Sequence, residues 1–548
     1  MPDNQGSATL GSSENQSAHR TASAAEVRAA LLARREIALL DVREEAIHAT
    51  GHPLFAANLP LSLIELEAYA RLPRRAAQIV LFDDGEGLAA KAARRLADLG
   101  YEDVRQLKGG LQAWRDAGYE IFQDVNAPSK AFGELVEAIR HTPSLSAQEV
   151  QALIDAKADV AIVDVRRFDE YQTMNIPTAI SVPGVELLLR IRELAPSPAT
   201  QVIVNCAGRT RSIIGTQSLI NAGVPNPVFA LRNGTIGWTL AGQRLHHDGC
   251  RSFGPVSDAT RSLAAESALR VAGAAGVERT NLRTVGRWAD SGDATIYRFD
   301  VRTPREYEAG HLPGFRNAPG GQLVQETEMF APVRGSIIVL ADDDGTRANI
   351  TASWLAQMGW RVFVVDELDR TDFAERGPWK HPMPTAPVIP DGAMLTAATL
   401  HHWLSRVRLG GLAVLDLAPS AKYRKEHIPG AWFASRSQLE DAFHAHPEGR
   451  SFVLTSPDGV LARFAWSEAA SLTEQKVFVL EGGSDAWTCA GLPTESAQFR
   501  YAAPPIDRYR RPYEGTDIPQ EAVQAYLDWE YGLVAQLDRD GTHGFRVI

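Results

Sequence analysis

One short loop in this sequence joins a thiol to positive charge: Cys206-Ala207-Gly208-Arg209-Thr210-Arg211-Ser212, entered from the apolar run Val202, Ile203 and Val204. The thiolate is the attacking form of cysteine, and an ordinary thiol with a pKa of about 8.5 is mostly protonated at neutral pH. Backbone N–H groups at a helix start, together with nearby guanidinium groups, are expected to lower it. On this reading Cys206 is a nucleophile and Gly208 lets the backbone curve tightly. Arg209 and Arg211 present fixed charge to an anionic substrate, while Ala207, Thr210 and Ser212 complete the cradle. The competing reading makes Cys206 a small buried hydrophobe closing a strand. Cys250 and Cys489 fall outside any such loop and read as structural or incidental.

The elements that would hold this loop recur. Four apolar runs end in Asp41, Asp164, Asp300 and Asp416, and the first three continue into Arg43, Arg166 and Arg302. A second β-rich run then opens into a polar loop at Asp83, Cys206, Asp342 and Ser456, which lies 42, 42, 42 and 40 positions after the aspartate. Between these marks lie Gly51-His52, Gly310-His311 and Glu426-His427, with Asn175-Ile176 in the second copy. The three histidines stand only where the cysteine is missing, so turn packing explains them better than base catalysis does. A helix-period segment, a short strand and a Gly-rich turn reaching Trp114, Trp238 or Trp487 follow, whereas the third copy has only Trp379. Short apolar strands alternating with helical segments imply α/β domains, each a mainly parallel sheet flanked by helices on both faces. Polar loops after such strands are where these sheets bind ligands.

The Asp-Val-Arg strand end, the Gly-His-Leu-Pro-like turn, the strand running into Cys-x-x-x-x-Arg-Ser and the Gly-Gly-x-x-x-Trp turn together resemble the rhodanese-like sulfurtransferase family, as four tandem copies over roughly residues 22 to 500. The resemblance implies transfer of a sulfane sulfur from thiosulfate or a related persulfide to a thiophilic acceptor through a persulfide on Cys206. Arg166 matches the family's Asp-x-Arg position and is carried as a substrate-side residue, although Arg43 and Arg302 stand in copies without the thiol and favour a scaffold role. Asp83, Asp342 and Ser456 cannot carry sulfur, so copies one, three and four are expected to be inactive. A 3-mercaptopyruvate donor ranks lower, because that branch shows Cys-Gly-Ser/Thr-Gly where this loop has arginines. A cysteine phosphatase would place five residues between cysteine and arginine, and here four intervene between Cys206 and Arg211. The alternative of another class is a non-catalytic or redox-sensing scaffold.

The expected division is a disordered stretch over 1–21, repeats over 22–125, 144–255, 256–386 and 387–500, a linker over 126–143 and an extension over 501–548. In the extension, Val523, Tyr526, Leu527, Val534 and Leu537 fall on one face of a candidate helix. Arg508, Arg510 and Arg511 before it read as an exposed linker. A formal charge of -11 without a basic stripe argues against nucleic acid or an anionic membrane. Three cysteines among 548 residues and a polar start without an apolar h-region fit a reducing cytoplasm. Partners are expected to be small-molecule sulfur donors and acceptors, with self-association left open. No cofactor or metal is expected, since the consecutive Asp342, Asp343 and Asp344 cannot all converge on one ion.

Overall fold

The computed structural model describes residues 20–406, 411–446, 450–514 and 519–548. The first 19 residues of the stretch read as disordered lie outside these, and strand pairing has begun by Thr21.

Four sheets follow one plan. In the second, strands run in the order Ser144–Leu145, Val228–Leu231, Gln201–Asn205, Val160–Asp164 and Ile180–Ser181, all parallel. The central strands Val160–Asp164 and Gln201–Asn205 are β-branched and buried on both faces, as sheets covered by helices require. Their register pairs Asp164 with Asn205, which sets the aspartate beside the residue preceding Cys206. The first sheet gains a further strand from the third repeat, Val333–Arg334, antiparallel to Ile37–Asp41. One continuous apolar core joins the first three repeats and takes in Leu533, Leu537 and Phe545 of the extension, while the fourth repeat has its own clusters.

The segment after each loop strand forms a helix, Thr210–Asn221 in the second repeat. The linker folds as the helix Ala127–Arg140, much of it buried. The extension ends in the helix Gln520–Asp540, which lies against Ala127–Arg140. Tyr526, Leu527, Leu533 and Leu537 are its buried apolar residues.

Candidate active site

Cys206 sits at the carboxyl end of Gln201–Asn205, 1% exposed, while Cys250 and Cys489 are on the surface. Its Sγ donates to the Ser212 hydroxyl at 3.4 Å, and that hydroxyl donates to the Arg209 carbonyl at 2.8 Å. Burial pushes the thiol above its ordinary value, against the pull of Arg211 and the hydrogen bonds of Ser212. The expected net lowering is therefore not what the resting site shows, because desolvation of a thiolate outweighs one compensated cation.

The loop is clasped by the turn before Trp238. The amides of Thr235 and Ile236 donate to the carbonyls of Cys206 and Ala207 at 2.9 and 3.0 Å, and the Thr235 hydroxyl reaches Ala207 at 3.1 Å. Gly234 has φ +53°, and a methyl group there would lie 2.3 Å from the Cys206 carbonyl oxygen. Gly110 and Gly483 meet the Asp83 and Ser456 carbonyls in the same way, which explains the recurring glycine. The tryptophan seals each turn from below, Trp238 donating its indole N–H to the Arg244 carbonyl at 2.9 Å.

The two arginines of the loop part company. Arg211 forms a two-pronged pair with Glu170 at 2.8 and 2.9 Å and acts electrostatically on Cys206. Burial alone would raise Glu170, but Arg211 holds its carboxyl down at about 2. Arg209 is placed elsewhere. Its guanidinium is bound by Glu134 at 2.8 Å and by Glu137, both on the helix Ala127–Arg140, and lies 4.2 Å from the Tyr531 ring. It joins helices to the loop instead of facing a donor, because two carboxylates have already neutralised it. Thr210 packs against Gly133 with its hydroxyl buried and unpartnered. Gly208 does not take a left-handed φ, so curvature is not its reason.

Arg166 is likewise held by its own repeat. It is 1% exposed, pairing with Asp164 at 2.7 Å and donating to the Met174 carbonyl at 2.6 Å. Arg43 binds Asp41 and the Gly51 carbonyl, and Arg302 binds Asp300 and the Gly310 carbonyl, in the same arrangement. The turn histidines are also structural: His311 and His427 bond backbone carbonyls at 2.9 and 2.8 Å while stacking on Tyr307 and Tyr423.

What sequence reasoning missed is the roof. Tyr526 and Glu530 of the C-terminal helix lie over the loop: a methyl group at Gly208 would sit 3.5 Å from Glu530 Oε2 and 3.6 Å from Tyr526 Cε1. Tyr513 of the extension packs on Tyr526 and feels Arg211 and Glu170. The available signal was Glu530 itself, an acid falling on the apolar stripe one turn beyond Tyr526.

The four loops satisfy their backbones differently. Asp342 accepts from the amides of Gly345 at 3.0 Å and Ala348 at 2.8 Å, and Asp344 accepts from Thr346 and Arg347. Asp83 accepts from Gly85 and Ala89, and Ser456 from Ala462. Among the described residues, the amides of Ala207, Gly208 and Arg209 donate to no protein acceptor.

The rhodanese-like domain model matches residues 23–117, 146–241, 285–367 and 396–490. A crystal structure of thiosulfate sulfurtransferase from Pseudomonas aeruginosa is 62% identical, with a TM-score of 0.94 over 96% of this chain and 100% of that one. An uncharacterized protein of Synechocystis sp. is 32% identical over 93 residues, 17% of this chain, which thus spans about half the length of that curated relative. Four matched segments on four sheets of one plan mean that the chain belongs to the rhodanese-like domain family.

Proposed function

We propose that the chain is a thiosulfate sulfurtransferase whose only working loop is that of the second repeat, with Cys206 as nucleophile. The observation that carries this is the contrast among the loops: one of the four loop-opening side chains is a sulfur, and the three amides directly after it find no protein acceptor among the described residues, whereas Asp83 and Asp342 each accept amides of their own loop. The likeness to the Pseudomonas aeruginosa enzyme supports the donor. Cys206 attacks the sulfane sulfur of thiosulfate, an S–S bond forms, and the bond to the sulfonate sulfur breaks with its electron pair leaving on sulfite. The Cys206 persulfide is an anion, and the free amides of Ala207, Gly208 and Arg209 at a helix start suit it. Arg211 supplies positive charge and Ser212 steadies the sulfur. A thiophilic acceptor, cyanide or a thiol, then removes the outer sulfur in a ping-pong cycle.

Purified protein given thiosulfate and cyanide is expected to release thiocyanate, and protein given thiosulfate alone to gain the mass of one sulfur atom on Cys206. The variant Cys206→Ser should do neither. Undiminished thiocyanate release by that variant would overturn the assignment.

A further inference from the structure

Glu530 is 1% exposed, and its carboxyl enters no ion pair among the described residues. Oε1 is hydrogen-bonded by the Tyr526 hydroxyl at 2.8 Å, and Oε2, beside the Gly208 backbone, has no partner. The cations that could neutralise it are used elsewhere. Lys130 of the helix Ala127–Arg140 gives its ammonium to Asp124 at 2.7 Å amid the rings of Tyr513, Tyr526 and Trp529, and Arg209 is held by Glu134 and Glu137. Burying a carboxyl with a bare oxygen is costly, and such groups concentrate where a proton must move.

We propose that Glu530 is the proton-transfer residue of the Cys206 site, taking the thiol proton as the sulfur attacks and passing it to the departing group of the donor. This rests on the reading of Cys206 as the nucleophile. In the first half-reaction the Glu530 carboxylate accepts the proton from Sγ, the thiolate displaces sulfite from the sulfane sulfur, and the carboxyl returns its proton to sulfite. The products are the Cys206 persulfide anion, hydrogensulfite and the regenerated carboxylate. In the second half-reaction the carboxylate takes the proton of an acceptor thiol while that sulfur attacks the outer sulfur of the persulfide. Cys206 leaves as thiolate and is reprotonated from Glu530.

The electrostatics agree with this placement. Burial pushes Glu530 up to about 8; Glu134 adds to the rise, while Lys130, the Tyr526 hydrogen bond and Arg209 oppose it. The charge of Glu530 is in turn one of the influences that raise the Cys206 thiol. Charge on Glu530 thus disfavours charge on the Cys206 sulfur, which links the two ionisations.

The test is the pH dependence of sulfite release in a single turnover with thiosulfate, using the full chain. Wild type is expected to rise with pH along a limb near 8. Glu530→Gln keeps the shape of the side chain but cannot exchange a proton. It should be slower at neutral pH by roughly a hundredfold, with its limb moved to the ionisation of the thiol alone. Tyr526→Phe removes the bond that favours the carboxylate and should shift the limb to higher pH, a reading that stands if the Gln variant does not fold. Wild-type rate and profile in Glu530→Gln, or an unshifted limb in Tyr526→Phe, would overturn the role of Glu530 while leaving Cys206 in place. Retained turnover in Cys206→Ser would instead remove the reading beneath it.

Discussion

The loops at Cys206 and Asp342 begin at the same register of the same fold and end up chemically opposite. Each opens at the end of a buried parallel strand and leads into a helix carrying an arginine five residues on, Arg211 or Arg347. In the third repeat the carboxylates of Asp342 and Asp344 fold back onto four loop amides, and the chain turns through Gly345 at φ +70°. Arg347 is wrapped by Glu186, Glu306, Asp343 and Asp344. Burial, with Asp344 adding to it, raises Asp342 well above the carboxylate range. The anion site is thus filled from within. In the second repeat the sulfur bonds Ser212 and the amides before the helix stay unspent, while Arg211 has Glu170 as its one ion-pair partner among the described residues. The third loop is in this sense its own ligand.

The sharpest way to break this comparison is to exchange the two residues. Cys206→Asp is expected to abolish thiocyanate formation and to melt close to the wild-type temperature, since the new carboxylate finds free amides as Asp342 does. Asp342→Cys should place a thiol in the third loop without activity there, because the acids around Arg347 repel an anionic donor. If thiosulfate treatment of the Asp342→Cys variant left a second sulfur adduct, carried by the introduced thiol, the loop surroundings would matter less than the thiol itself.

Arg211 and Arg166 sharpen it further, since Arg211 is a part-buried cation acting on Cys206 and Arg166 a buried one paired with Asp164. Arg211→Gln is expected to slow persulfide formation by roughly a hundredfold, because the charge acting on the thiol is gone. Arg166→Ala leaves Asp164 and the Met174 carbonyl without their partner in a dry site, a loss of about 3–5 kcal/mol. It should appear as a lower melting temperature and less folded protein, with KM for thiosulfate unchanged in what remains folded. A raised KM in Arg166→Ala would return it to the substrate side.

These contrasts mark how far the sequence was legible. The four-repeat architecture could be read because strand period, the aspartate-to-loop spacing and the Gly-Trp turn are local patterns, and Gly234 is required by a contact only a few ångströms across. The direction in which Arg209 points could not, because it is set by Glu134 and Glu137, whose helix had the look of a linker. Glu530 was equally hidden. Its nearness to Gly208 depends on how the last helix packs across more than 300 residues of intervening chain, and nothing in the local pattern fixes such a distance.

The smallest effect separates the Asp-x-Arg scaffold from the repeat that has lost its arginine. Asp416 has Ala418 where the other repeats have arginine; it is 1% exposed and accepts the Ala418 amide at 2.9 Å. Burial pushes it up to about 6, above the value of about 3.9 in an unfolded chain. The folded state therefore holds this proton more tightly. The stabilisation it gives is complete below about pH 4 and is lost as pH rises through about 6. Asp416→Asn, which cannot ionise, should melt a few degrees above wild type at pH 7.5, with the gap closing toward pH 4. Asp164→Asn should do the reverse, since it strips Arg166 of its counter-charge in the interior. If the two variants were destabilised alike at pH 7.5, the buried aspartate would be serving a need common to all four repeats, and the arginine would not be what makes its charge tolerable.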